Sequence, residues 1–265
     1  MPLSYPPLEK ARILVCNDDG VYAPGLRILK ETMTSLCAEL WVVAPEREHS
    51  GAGHSLTLHR PLRFRQLESH IFGVDGTPTD SVLLAVKHIM KDKPPHLVLS
   101  GFNAGGNLGE DITYSGTVAA AMEATLLGIP AMALSQIHNY ETGAEDWRMA
   151  AAYTPSIVRH LHGRPWDDGV FFNINFPHCP QKHGASVEIT RQGRHCGGGT
   201  LLENVDPRGR TYFWIGSVGS HVKPESGTDL DAISRNAISV TPLHLDLTHH
   251  ASLDMFSLPH DMRVT

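Results

Sequence analysis

Apolar positions along the first part of the chain alternate between two rhythms. Short continuous runs, Arg12-Ile-Leu-Val-Cys16, Leu40–Ala44, Phe72–Val74, His96–Ser100 and Ile129–Ser135, have strand composition. Runs that are continuous rather than alternating imply strands buried on both faces, as in a parallel sheet covered by helices. Between them the spacing changes to steps of three and four. Gly25 to Leu40 places Leu26, Leu29, Met33, Leu36 and Leu40 on one helical face. Asp80 to Met90 reads as a second helix with Asp80 as its N-cap. Thr117 to Leu127 is a small-residue helix ended by Gly128, and Tyr140 to Leu161 is largely helical. Strands separated by single helices predict an α/β fold, a Rossmann-like, doubly wound and mostly parallel sheet over residues 1–165.

The texture changes after residue 165. Val170–Phe176, Ser186–Thr190, Arg210–Ile215 and Ala237–Thr241 look like strands joined by glycine- and proline-rich turns, with a short helix at Asp229–Arg235. Residues 166–265 are expected to add the final core strand or strands and a C-terminal, hairpin-rich segment suited to subunit contact. No internal repeat or low-complexity tract is present.

Composition narrows the function. The chain has 265 residues, 41% of them hydrophobic, enough for a full core. A net charge of −6 argues against nucleic acid or an anionic membrane as a partner held by bulk charge. It leaves room for a small phosphorylated substrate, because a metal ion supplies positive charge locally. Met1 to Lys10 lacks an apolar h-region, and the apolar stretch Thr117–Leu134 is interrupted by Glu123, Gly128 and Pro130. A soluble, cytoplasmic protein is expected. The four cysteines, Cys16, Cys37, Cys179 and Cys196, form no C-x-x-C pair and read as reduced thiols.

Ligands of open parallel sheets bind beyond the carboxyl ends of the strands, and polar segments gather there. Asn17-Asp18-Asp19-Gly20 ends the first strand. Its adjacent carboxylates repel one another unless a cation lies between them, and oxygen donors suit Mg²⁺, Mn²⁺ or Ca²⁺. The competing reading is a solvated Asp-Asp-Gly turn. PEREHSGAGHS, residues 45–55, follows the second strand. Ser50 there offers a neutral oxygen, and His49 and His54 are either proton donors or hydrogen-bonded surface residues. SGFNAGGNLGEDITYSGT, residues 100–117, is a long polar loop. Asn103 and Asn107 offer amide oxygens to a metal or amide hydrogens to phosphate. Ser115, Gly116 and Thr117 open a helix, where they either bind phosphate or simply cap it. Motifs of P-loop hydrolases, dinucleotide binders, H-E-x-x-H metalloproteases and G-x-S-x-G hydrolases are absent.

Together these segments resemble the SurE family, the survival-protein nucleotidases of bacteria and archaea. The resemblance is carried by ILVCNDDG (13–20), APGL (23–26), VVAPEREHSGAGHSLT (42–57), VDGTPTDSV (74–82) and LSGFNAGGNLGEDITYSGTVAAAMEATLLGIPAMALS (99–135). NINFP (173–177), TRQGR (190–194) and ISVTPLHLDLT (238–248) extend it. Two departures, Ser81 where the family often has cysteine and Ala124 where it often has glycine, touch no proposed ligand.

The resemblance implies a divalent-metal phosphatase that hydrolyses nucleoside 5′-monophosphates, with 3′-nucleotides and short polyphosphates as further substrates. It implies one Mg²⁺ or Mn²⁺ per subunit, held by Asp18, Asp19, Ser50 and Asn103. Asp18 and Asp19 are the expected catalytic residues, and Asn107, Ser115, Gly116 and Thr117 the expected phosphate or substrate contacts. A homodimer or homotetramer follows from the same resemblance. Two rivals use the same loops: a nucleotide sensor without turnover, and a transferase that needs an acceptor other than water.

Overall fold

The computed structural model describes residues 5–138, 145–178, 184–195, 200–216 and 223–255. Its centre is a nine-stranded sheet in the order β3-β4-β2-β1-β5-β6-β7-β11-β8. The strands are β1 (Arg12–Cys16), β2 (Glu39–Pro45), β3 (Phe64–Glu68), β4 (Ile71–Val74), β5 (Leu97–Ala104), β6 (Ala131–Gln136), β7 (Val170–Phe176), β8 (Val187–Ile189) and β11 (Ile238–His244). From β4 across to β7 every pairing is parallel. Antiparallel β3 covers one side, and β11 runs antiparallel to β7 before β8 pairs with it.

Continuous apolar strands are buried on both faces, as the sequence predicts. Ile13 and Val15 point into one core with Leu26, Leu29 and Met33 of α1 (Pro24–Thr34) and Ile157 and Val158 of α4 (Arg148–His162). Leu14 and Cys16 point into the other with Val82 of α2 (Pro78–Leu84) and Val118, Ala121 and Ala124 of α3 (Gly116–Leu126). Small residues on α3 let it lie close to the sheet. The segment after residue 165 supplies β7, β8 and β11 to this sheet, and the short helix α5 (Asp229–Ser234) packs against β11.

Several boundaries differ from the sequence expectation. Helix α1 stops at Thr34 rather than Leu40, because Leu40 belongs to β2. Thr77, not Asp80, is the N-cap of α2. Its side chain accepts the Asp80 N–H while the Asp80 carboxylate accepts the Thr77 N–H, a reciprocal capping box. Residues 145–147 precede the helix α4, and 140–144 of the predicted helix lie outside the described residues. Cys16 and Cys37 are free thiols; Cys179 and Cys196 also lie outside the described residues. No helix among the described residues is long and apolar enough to cross a membrane.

Strand β5 runs four residues past the predicted end, and its register with β6 shifts between Ser100 and Asn103. A bulge of this kind re-aims the side chains that follow it. Gly101 makes it possible. Its φ is +141°, and a Cβ there would lie 2.3 Å from the Leu134 carbonyl oxygen.

A separate ribbon, β9 (Leu201–Val205) paired antiparallel with β10 (Thr211–Ile215), is exposed along its length; the sequence pattern predicts β10 but not β9. Leu134, on a central strand and wholly buried, tests the core. Leu134→Ala is expected to destabilise the fold by about 2–5 kcal/mol, measured as a lower urea midpoint with an unchanged slope.

Candidate active site

β1 lies between β2 and β5, and β2 and β5 lead outward in opposite directions across the sheet. This is the switch point at which an open α/β sheet leaves a crevice beyond its carboxyl ends. Asp18 and Asp19 follow β1, Ser50 follows β2, and Asn103 stands at the end of β5. Three adjacent strands therefore deliver all four expected metal ligands to one edge. The NDDG segment is locked by its own turn. Asn17 Nδ2 donates to the Gly20 carbonyl at 3.0 Å, Gly20 takes φ +105°, and the Val21 N–H bonds the Pro45 carbonyl at 2.7 Å. The His49 N–H donates to the Asp18 carbonyl at 2.8 Å, tying the Ser50 loop to the aspartates.

Asp18 is buried, 4% exposed, and is held by the N-terminus of α3. The Thr117 hydroxyl donates to Asp18 Oδ1, and Gly116 packs so closely that a Cβ there would lie 2.7 Å from the Asp18 Cβ. Burial raises the Asp18 pKa; the Thr117 hydroxyl and the backbone amides of Thr117 and Gly116 oppose the rise. The helix end expected to take phosphate thus already faces a carboxylate, in keeping with its dipole. Ser115 is the N-cap, its oxygen accepting the Val118 N–H at 3.0 Å, so the capping role is present while its own hydroxyl proton stays free to donate.

Asp19 is differently placed. Its carboxylate meets one donor, the Ala104 N–H at 3.4 Å, and no Lys, Arg or His among the described residues pairs with it. Burial, then the neighbouring charge of Asp18, pushes its pKa up to about 6, and Glu48 and Glu145 add to the negative field. Such a pair is short of positive charge.

The neutral donors suit a cation. Ser50 Oγ gives its proton to Glu48 Oε1 at 2.9 Å, which leaves lone pairs for a ligand. Asn103 Nδ2 donates to the Gly105 carbonyl at 2.9 Å, which turns the amide oxygen away from that bond. Among the described residues no group of three or more His, Cys, Asp or Glu forms a site; a cation held here would have two carboxylates and two neutral oxygens to draw on. That hard, all-oxygen set fits Mg²⁺ or Mn²⁺.

Asn107 lies deeper than expected. Its Nδ2 donates to Ser135 Oγ at 2.8 Å, its N–H to Asn175 Oδ1 at 2.8 Å, and its carbonyl accepts from Asn173 and Asn175. It anchors the loop to β7. Of the two histidines, His49 contributes its backbone to the site, and His54 pairs with Glu123 of α3 at 3.0 Å. Sequence reasoning missed Glu48, Glu145 and the Asn173–Asn175 anchor; the alternating asparagines of NINFP are the signal for the last.

The Survival protein SurE family matches residues 13–198, a span that carries every residue of this site. The chain belongs to the SurE family. It is 50% identical over 250 residues to the 5′-nucleotidase SurE of Paramagnetospirillum magneticum, covering 93% of this chain and 96% of that one. Against the 5′-nucleotidase SurE of Rhodospirillum rubrum it is 52% identical over 245 residues, 91% of this chain and 93% of that one. The crystal structure of the SurE protein from Aquifex aeolicus matches with a TM-score of 0.80 and 39% identity, over 92% of this chain and 97% of that chain. The SurE fold is therefore shared.

Two outcomes follow from the geometry. Asp19 has a folded-state pKa of about 6, above the unfolded value of about 3.9. Its contribution to stability is present below the unfolded value and is lost as pH rises through the folded one. EDTA-treated Asp19→Asn is therefore expected to melt above the wild type at pH 7, with the gap closing as pH falls towards 4. Gly116→Ala, which drives a methyl against Asp18, is expected to weaken Mn²⁺ binding about tenfold or more in calorimetric titration while far-UV circular dichroism is retained.

Proposed function

We propose that the chain is a divalent-metal-dependent phosphatase that hydrolyses nucleoside 5′-monophosphates to nucleoside and phosphate. The observation that carries this reading is the under-neutralised Asp18–Asp19 pair beside two neutral oxygen donors at the switch point, in a chain about half identical to proteins named 5′-nucleotidase SurE. Asp18, Asp19, Ser50 and Asn103 would hold one Mg²⁺ or Mn²⁺ per subunit. Bound there, the ion supplies the positive charge that phosphate oxygens meet and that offsets charge developing in phosphoryl transfer.

The chain's own residues divide the remaining work. Asp18, held by Thr117 and the amides of α3, is a fixed ligand. Asp19, with one long hydrogen bond, is the freer carboxylate, placed either to attack phosphorus or to take a proton from water. Ser115 offers its hydroxyl proton, and the α3 N-terminus its dipole, to a phosphate lying beside Asp18. Thr117 and Gly116 act in this scheme by fixing Asp18, and Asn107 by anchoring the loop that carries Ser115. Substrates of the same chemistry, 3′-nucleotides and short polyphosphates, fit the same centre.

A homodimer or homotetramer accompanies this reading. The β9–β10 ribbon is exposed on both faces, with Leu201, Val205, Phe213 and Ile215 on one and Leu202 and Trp214 on the other, more apolar area than scattered single residues explain.

Phosphate release from a panel of nucleotides is the test, with Mg²⁺ or Mn²⁺ and then with EDTA. Metal-dependent release from 5′-monophosphates is expected, and Asp19→Asn is expected to lose it by a factor of about a thousand or more. No release from any nucleotide or polyphosphate by metal-replete protein would remove the nucleotidase reading; binding without turnover would leave a sensor, and turnover only with an alcohol acceptor a transferase. Single turnover in ¹⁸O-labelled water, followed by mass analysis of the Asp19 peptide, separates attack by the carboxylate from attack by water.

A further inference from the structure

Loop 105–115 carries Asn107 at one end and Ser115 at the other, and its middle is gripped by residues that the chain adds some eighty to one hundred and twenty positions later. Asp229, at the start of α5 and 1% exposed, takes the Gly109 N–H on Oδ2 at 2.9 Å and the Gly193 N–H on Oδ1 at 2.8 Å. Gln192 Nε2 donates to the Gly109 carbonyl at 3.0 Å. The His195 N–H donates to Glu110 Oε2 at 2.6 Å, and its Nε2 stands 3.1 Å from both the Leu108 carbonyl and Asp111 Oδ2. With its proton on Nε2, the ring donates to both acceptors at once. The packing is close: Gly109 takes φ +53°, and a Cβ there would lie 3.1 Å from His195 Cδ2.

The grip leads to the site. The Asp111 carbonyl accepts the N–H groups of Tyr114 and Ser115 at 3.0 and 3.1 Å, and Ser115 caps α3, whose next two residues fix Asp18. Asn107, at the other end, is anchored independently on β6 and β7. A shift at Gly109–Asp111 therefore falls on Ser115 and the α3 N-terminus rather than on the β7 anchor. The buried Asp229 carboxylate and a largely covered imidazole are an unusual provision for an otherwise polar loop, because groups of this kind are costly to bury unless their geometry is used.

We propose that His195 and Asp229 are positioning residues for the hydrolytic site, latching Gly109–Asp111 so that Ser115 and the α3 N-terminus stand at the phosphate. This rests on the phosphatase reading above. Both bond the 3-10 turn Gly109–Thr113 and act through it. The latch also joins the site to the ribbon, since β9 begins at Leu201, shortly after His195.

The test uses the full chain with Mn²⁺ and AMP, comparing wild type, His195→Ala, His195→Gln and Asp229→Asn. His195→Ala is expected to lower kcat about tenfold to a hundredfold, with Mn²⁺ affinity within about twofold of wild type. His195→Gln, whose amide can still donate to Leu108 and Asp111, is expected to recover most of the loss. Asp229→Asn keeps one acceptor of two and is expected to fall between. Hydrogen exchange read by mass spectrometry is expected to rise at 109–118 in His195→Ala and to stay unchanged at β1 and β6. A His195→Ala variant with wild-type kcat and unchanged exchange at 109–118 overturns the proposal, as does a loss that His195→Gln fails to rescue. If wild type itself released no phosphate, the phosphatase reading would fail, and the exchange arm would still decide whether the latch holds the loop.

Discussion

A buried carboxylate at the head of a helix is the interaction on which the active edge of this molecule depends. Asp18 is removed from water, and its charge is tolerable because the Thr117 hydroxyl and the first amides of α3 face it. Removing one partner of such an arrangement leaves a buried charge uncompensated, which is far more damaging than losing an exposed pair. Both members arrive from separate strand–helix units, so the bond also fixes how α3 sits against β1. Asp19, one residue on, is denied such support, and the contrast separates a tightly held carboxylate from a loosely held one.

The asymmetry propagates outward. Ser50 is presented by a loop whose backbone is tied to Asp18 through His49, and whose far end is tied to Asp80 through the Thr57 N–H at 3.0 Å and hydroxyl at 2.6 Å. Asn103 owes its placement to the bulge at Gly101. The loop that follows is held at Asn107 by β7 and at Gly109–Asp111 by His195 and Asp229. The C-terminal third of the chain thus supplies much of the support for these loops.

Much of the fold was legible because parallel strands buried on both faces are continuous apolar runs, and β1, β2, β5 and β6 are of that kind. β3, FRQLE, was not: an edge strand largely open to solvent carries little apolar signal. β9 escaped for the same reason, since its Leu-Leu-Glu-Asn-Val is exposed on both sides. Asp80 has the residue type of a cap, but it is Thr77, three residues earlier, that caps α2, with Asp80 closing the box. At the site, the adjacent aspartates, Ser50 and Asn103 stood out as polar residues at strand ends. What could not be read was pairing across long separations. That Thr117 serves Asp18, and that Asn107 bonds Ser135 and β7, depends on how helices and strands settle against one another, which residue type alone does not state.

The alternation along β1 has an effect beyond packing. Ile13 and Val15 face one core and Leu14 and Cys16 the other, so a slip by one residue against β2 or β5 would exchange the two faces. It would also carry Asp18 away from Thr117 and Asp19 away from the Ala104 N–H. Any cation that gathers oxygens from β1, β2 and β5 together therefore recognises only the correctly paired sheet, and by mass action it favours that pairing over its neighbours. The reactive edge doubles as a check on the registration of the strands that built it.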